Sequence, residues 1–301
     1  MRIPRGVTPG ALASKPVATV ESRFGPIRAY AEDEVTRQIA RFGNHTRPDF
    51  AFATAVLAPE ARVFDLGAHI GTFALTALAR LSPRGRLLAV EGSAGTHRIL
   101  ARNLTRRGGG AAARIADVLR LRPRATTCHA LVAGGPGDWA LHEDGANTGA
   151  TRLVPADAAD PGARRAVTLD DLVARHFAPD FVKLDTEGTE AAILTGSDYV
   201  REARPILYLE VNADALARFG ATPAALDAHL RSLDYAYYVN DFDRNGAHDL
   251  FRPRRCLRLA DLGALGDVLC IPRDREMRKV LNRLAPHPAH TTARTDAEAA
   301  P

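Results

Sequence analysis

Short apolar runs along the chain alternate with stretches in which apolar residues recur every three or four positions. Arg62–Leu66 reads as a strand, and Ile70–Ala79 then places Ile70, Phe73, Ala74, Ala77 and Leu78 on one helical face. A second strand over Arg86–Val90 leads into an amphipathic helix over Ala94–Arg107, closed by Gly108-Gly109-Gly110. Further strands are expected over Arg124–Val132, Phe181–Leu184 and Ile206–Val211, with a helix from Glu187 to Leu194 after the fourth. Strand and helix in alternation predict parallel strands joined by right-handed crossovers, which is a doubly wound α/β sheet. Tyr235–Val239 and Asp267–Ile271 lack an equally strong helix between them and predict an antiparallel pair at one sheet edge. Residues 1–20 and 285–301 are small, polar and proline-rich and are expected to be disordered tails. That leaves a helical, acceptor-side segment over 21–60 and a main domain over 61–284.

Composition narrows the class without deciding it. The 301 residues are 46% hydrophobic and 25% charged, ordinary for a globular chain and enough for a sizeable core. No apolar run reaches the roughly 18 residues of a membrane span, and the amino terminus lacks the apolar core of a secretory signal. Cys128, Cys256 and Cys270 are too few and too widely spaced for a disulfide framework, which suits a reducing compartment; the expected address is the cytoplasm. The net charge of +5 comes almost wholly from arginine, since Lys15, Lys183 and Lys279 are the only lysines. Basic residues concentrate in 98–124 and 252–283, but neither segment carries the aromatic stacking pairs of an RNA reader. Solvated helix faces are the expected reading, and nucleic acid is not the expected partner.

The chemistry begins at Asp65-Leu66-Gly67-Ala68-His69-Ile70-Gly71, between a strand and a helix. Gly67 and Gly71 let the backbone turn tightly and approach a ligand. A dinucleotide fingerprint wants its first glycine where Asp65 stands, and a carboxylate there repels a pyrophosphate but suits a sulfonium amino acid. Glu91 follows about twenty residues later at the end of the second strand, the place from which a carboxylate grips both ribose hydroxyls. A tight turn with Glu91 merely exposed is the competing structural reading.

The sequence resembles the FkbM-type S-adenosylmethionine-dependent methyltransferases. The likeness is carried by Val63–Gly71, Ala89-Val90-Glu91, Leu100–Leu104, Val167–Leu172 and most specifically by Phe181-Val182-Lys183-Leu184-Asp185-Thr186-Glu187-Gly188-Thr189-Glu190. Ile193–Gly196, Pro205–Glu210 and Asp267–Pro272 extend it over about residues 60–272. The resemblance implies a class I methyltransferase with a mostly parallel seven-stranded Rossmann-like sheet and an antiparallel edge strand. It further implies methyl transfer from S-adenosylmethionine, usually to a hydroxyl of a sugar, polyketide, lipid or other natural product. Asp65, Gly67 and Gly71 should hold the methionine part and Glu91 the ribose, with Ala68, His69, Gly92 and Ser93 contacting cofactor mainly through backbone. His69 and Ser93 depart from the residues frequent in the family at those places. Asn103 matches the family pattern, but its place inside a helix favours a structural bond.

Displacement on a sulfonium methyl needs alignment, and a base only as the hydroxyl proton leaves. In an open α/β sheet the reacting centre lies beyond the carboxyl ends of the strands. That selects Asp185 and Glu187 at one tip and Glu210 and Asn212 at the next, with Lys183 on the face of Asp185. The competing roles are structural, with Glu187 capping a helix and Lys183 paired to a carboxylate. Asp185, Glu187, Lys183 and Glu210 are the expected catalytic residues. The same oxygens suit Mg²⁺, but no spacing demands it and no metal ligand is assigned. Cys128-His129 with His142, and His287 with His290, lack zinc-type spacing. The acceptor should be met by Glu32–Phe50 and by the 133–166 connection, whose length suggests a lid. An RNA or protein methyltransferase, an inactive nucleoside-binding module and, least, a nicotinamide enzyme remain as alternatives, and self-association remains open.

Overall fold

Residues alternate across the central strands with the period of two that β structure imposes. Val63, Phe181 and Tyr208 pack on one face of the sheet, and their neighbours Phe64, Val182 and Leu207 pack on the other. Both faces are covered, so both registers of each strand are apolar. The computed structural model describes residues 15–105, 122–143, 148–157 and 159–274. The chain enters through an antiparallel hairpin, β1 (Val17–Ser22) and β2 (Gly25–Tyr30), followed by helices Glu34–Phe42 and Arg47–Thr54. Strands β3 (Arg62–Leu66), β4 (Arg86–Glu91) and β5 (Arg124–His129) pair in parallel, with helices Thr72–Leu78 and Ala94–Thr105 between them. A small antiparallel sheet, β6 (Asp138–His142), β7 (Arg152–Pro155) and β8 (Arg164–Arg165), branches off before the chain returns. The second half supplies β9 (Phe181–Leu184), β10 (Ile206–Asn212), β11 (Tyr235–Asn240), β12 (Pro253–Cys256) and β13 (Leu265–Pro272).

The main sheet runs β12-β11-β13-β10-β9-β3-β4-β5. The expected doubly wound, mostly parallel sheet is present, with two adjustments. Antiparallel β13 lies between β10 and β11 rather than at the edge, and β12 adds an eighth strand outside β11. Pro253, which has no N–H for a ladder, is tolerated at that edge. The third strand stops at His129, three residues short of the expected Val132.

Three local expectations change for identifiable reasons. Strand β1 begins at Val17, inside the expected tail, and the expected helical 21–60 segment opens with a hairpin. Residues 1–14 and 275–301, which include most of the first expected tail and all of the second with His287 and His290, lie outside the described residues, as do 106–121 and 275–283 of the two basic segments. The helix expected from Glu187 starts at Glu190, because Glu187 and Gly188 take positive φ values of 59° and 120°. The buried Glu190 carboxylate holds that loop, accepting from the Thr186 N–H (2.6 Å), the Thr186 hydroxyl (3.0 Å) and the Gly188 N–H (3.0 Å).

The sheet reverses direction of winding between β3 and β9, leaving a crevice at their carboxyl ends. Asn103 closes its back as expected for a structural residue, bonding Ile70 O at 2.9 Å and the backbone of Arg28 in both directions. Among the described residues no helix is long and apolar enough to cross a membrane.

Candidate active site

The crevice opens into one cleft lined at one end by Gly67, Ala68, His69, Glu91 and Gly92. Gly67 has φ +75°, and a Cβ there would lie 1.8 Å from the Asp185 carbonyl oxygen, so no other residue fits. The turn carries His69 at φ 49°, and its backbone N–H donates to Glu91 Oε2 at 2.9 Å. The Ser93 N–H donates to Glu91 Oε1 at 2.8 Å. The Glu91 carboxylate is therefore oriented by two main-chain donors while burial raises its pKa to about 7 against those bonds. Leu131, Leu141 and Leu153 line the same cleft as an apolar wall, with Leu131 and Leu141 lying against Gly92. A wall of that kind beside a fixed carboxylate suits a nucleoside, base against leucines and sugar against Glu91.

At the other end four carboxylates and a lysine meet. Lys183 is 4% exposed, and its Nζ donates to Gly67 O at 3.0 Å and pairs with Asp185 at 3.1 Å and Asp65 at 3.4 Å. Burial opposes its charge, but Asp185 and Asp65 outweigh it and hold the ammonium above its ordinary pKa. Asp65 is fully buried, and burial pushes its carboxyl up against the pull of Lys183. Carboxylate oxygens of Asp185, Glu187 and Glu210 lie within 4.8 Å of one another. Burial first and Asp185 second raise Glu187 to about 8 and Glu210 to about 10. Both exceed the ordinary 4.5, so the fold holds protons that the unfolded chain has released, and stability from these sites falls as pH rises through about 8 and 10. The apo protein should accordingly lose thermal stability between pH 6 and pH 9.5 more steeply than its Glu210→Gln variant; equal slopes in a melting series would refute this.

The front wall comes from the amino-terminal segment, through Val35, His45 and Phe50. His45 is held between Gly43 at φ 78° and Thr46 at φ 38°, both left-handed. Asn44, 1% exposed, anchors the loop by donating to Thr76 Oγ1 at 2.9 Å. Burial lowers the His45 pKa to about 4, with Asp185 its strongest charged neighbour, so a neutral imidazole faces the carboxylates at pH 7. Arg244 bonds Asp49 at 2.9 Å and also Asp267, tying this wall to β13.

Of the residues expected at the site, Gly67, Ala68, His69, Glu91, Gly92, Lys183, Asp185 and Glu187 line the cleft. Asp65, Gly71 and Ser93 lie behind its surface. Asp65 is turned to Lys183, Gly71 lets Leu100 approach (a Cβ there would come within 2.9 Å of it), and Ser93 orients Glu91. Glu210 joins the carboxylate group without lining the cleft, and Asn212 caps helix Ala213–Arg218, accepting from the Ala215 N–H at 3.0 Å. His69 contributes more than backbone, since Nε2 meets Thr148 Oγ1 at 2.9 Å. His129 bonds Gly92 O and Arg164, and no metal-type grouping among the described residues joins it to Cys128 or His142. Sequence reasoning did not single out His45, Thr148 or the leucine wall as residues, although His45 falls in the expected acceptor segment Glu32–Phe50 and Thr148, Leu141 and Leu153 in the 133–166 connection.

The family description "Methyltransferase FkbM domain" matches residues 65–237. No curated protein matches the sequence significantly. Among solved structures, the chain is similar to a precorrin-6y C5,15-methyltransferase from Geobacter metallireducens, at 14% identity over 74% of this chain and 84% of that one, with a TM-score of 0.35. It is also similar to TYW2 of M. jannaschii in complex with AdoMet (11% identity, 85% of each chain, TM-score 0.40). An O-methyltransferase from Bacillus cereus in complex with SAH is 11% identical over 76% of this chain and 81% of that one, with a TM-score of 0.34.

Proposed function

The chain belongs to the FkbM methyltransferase family, a class of S-adenosylmethionine-dependent enzymes, and from that premise we propose that it methylates a hydroxyl oxygen of a small molecule. The observation that carries the reading is the pairing of a donor end, Glu91 with its leucine wall, and a proton-accepting end, Asp185 with His45, in one cleft. S-adenosylmethionine supplies a methyl group activated on a sulfonium. The chain's own residues do the rest. Glu91 holds the ribose hydroxyls, Leu131, Leu141 and Leu153 keep water from the base, and the Gly67–His69 turn faces the methionine part. At the acceptor end, Asp185 aligns the hydroxyl and takes its proton, while Lys183, 3.1 Å away, holds that carboxylate in place. Glu187, protonated at neutral pH, serves as a donor that orients a polyhydroxylated acceptor, with Glu210 beside it in the carboxylate group. An amine would be protonated and trapped beside Asp185, so a neutral hydroxyl is the better nucleophile.

Calorimetry with S-adenosylhomocysteine tests the donor half. Glu91→Ala should weaken binding by about 1–3 kcal/mol through loss of charge-assisted bonds. Affinity should also rise as pH increases through about 7, because the ionised Glu91 offers more acceptor lone pairs. Tight binding of NADH with no response to S-adenosylhomocysteine would sink the reading. The acceptor half is tested by mass spectrometry of the product from a panel of hydroxylated metabolites, where a methyl on nitrogen or carbon would contradict it. Methylation of RNA or of a protein, with salt-sensitive retention through the arginine segments, is the rival outcome.

A further inference from the structure

His69 is tied at both its main chain and its ring, and the two ties lead to different parts of the molecule. Its N–H is on Glu91, while its Nε2 lies 2.9 Å from Thr148 Oγ1. Thr148 comes from the link between β6 and β7 and is 1% exposed. Its hydroxyl lies 2.8 Å from Asp33 Oδ2, and its own N–H donates to the same oxygen at 3.1 Å. Asp33, 1% exposed, caps helix Glu34–Phe42 through the Val35 N–H and also pairs with Lys15 at 3.2 Å.

The proton inventory fixes the direction of this chain. Four donors converge on Asp33, and although burial raises its pKa, their bonds outweigh it, so it is an ionised acceptor. Thr148 has one hydroxyl proton and gives it to Asp33. The oxygen can then only accept from His69, which requires a hydrogen on Nε2. Burial keeps the ring neutral, with a pKa lowered to about 4, so its single proton sits on Nε2 and Nδ1 is left as an acceptor.

We propose that Thr148 and Asp33 are positioning residues of the donor site, which hold His69 as the Nε2–H tautomer and keep its backbone N–H on Glu91. The inference rests on the reading that Glu91 grips the ribose. It makes that grip depend on two segments, around Asp33 and Thr148, that meet the glycine turn only in the folded molecule. Asp33 lies outside the span matched by the family. His69 occupies a left-handed conformation that costs a non-glycine residue energy, and the ring tether opposes its relaxation. Without the Thr148 hydroxyl the ring is released, the turn relaxes, and Glu91 loses one of its two main-chain donors.

Two measurements on the full chain test this. Long-range ¹⁵N–¹H spectra of histidine-labelled wild type should show His69 protonated at Nε2; an Nδ1–H signal overturns the proposal without any variant. Calorimetry with S-adenosylhomocysteine should show Thr148→Val weakened about 3- to 10-fold, the range of one lost hydrogen bond, and Thr148→Ser restored to near wild type. In a Glu91→Gln background the same Thr148→Val change should cost almost nothing, because both act through one carboxylate. Wild-type affinity in Thr148→Val beside a weakened Glu91→Gln overturns this inference alone. A loss that persists in full in the Glu91→Gln background also overturns it, making Thr148 a general structural residue. Wild-type binding by Glu91→Gln strikes the ribose reading and this inference together.

Discussion

Asp185→Asn should lower turnover by roughly 10²–10⁴, the usual range for a lost general base, with cofactor affinity almost unchanged. The substitution preserves shape and removes the charge that, in the proposed mechanism, aligns and deprotonates the acceptor. The competing view makes Asp185 only the partner of Lys183, so that its loss strands a buried cation. The geometry separates the two. Lys183 also has Gly67 O at 3.0 Å and Asp65 at 3.4 Å, so it keeps a counter-charge and an acceptor when Asp185 becomes neutral. The Asp185 side chain is itself 35% exposed, and an asparagine there remains hydrated. Thermal stability should therefore change little. Turnover, S-adenosylhomocysteine affinity and melting temperature measured on one preparation decide the matter: wild-type turnover, or a protein that no longer folds, ends the catalytic assignment.

Lys183→Met carries the opposite expectation, a loss in stability of about 3–5 kcal/mol, typical when one partner of a buried ion pair is removed. Asp65 is wholly enclosed beside Lys183, and the change leaves its carboxylate in an apolar surround without a cation. Asp65→Leu combined with Lys183→Met should recover much of the loss, because it removes the charge that was stranded. The deficit should also shrink at acid pH, where Asp65, whose pKa burial already raises, takes up a proton. Denaturant unfolding of the single and double variants tests this; a single variant within 1 kcal/mol of wild type, on the order of an exposed pair, would contradict it.

What could be read in advance was what depends on neighbours in sequence. Gly67 announces a left-handed turn by its own conformational freedom, and Glu91 announces itself by sitting where a strand ends. Lys183 and Asp185 were correctly placed on one face by strand alternation. The same alternation sends Asp65 inward toward Lys183, but only the pairing of β3 with β9 reveals that partner, so Asp65 was expected to meet the ligand instead. Glu187 was expected within a helix, and the positive φ at that position comes from Glu190 claiming the loop's donors. Strand β12 escaped notice because an edge strand with Arg254 and Arg255 has no apolar period. His45 and Thr148 carry no local signature of a site. They reach the cleft, and Asp33 reaches Thr148, through crossings of distant segments, which a pattern of near neighbours does not encode.

The contact between Gly67 and the Asp185 carbonyl leaves no room for even one carbon atom, so the glycine turn after β3 and the tip of β9 meet main chain to main chain. Their spacing is consequently a property of the backbone and not of any rotamer. In the proposed mechanism the entropy of bringing nucleophile and electrophile into line is paid when the protein folds, before either ligand arrives. Donor-to-acceptor distance and tertiary structure would then be one variable: whatever pries β3 from β9 would lengthen the path of the methyl group by the same movement.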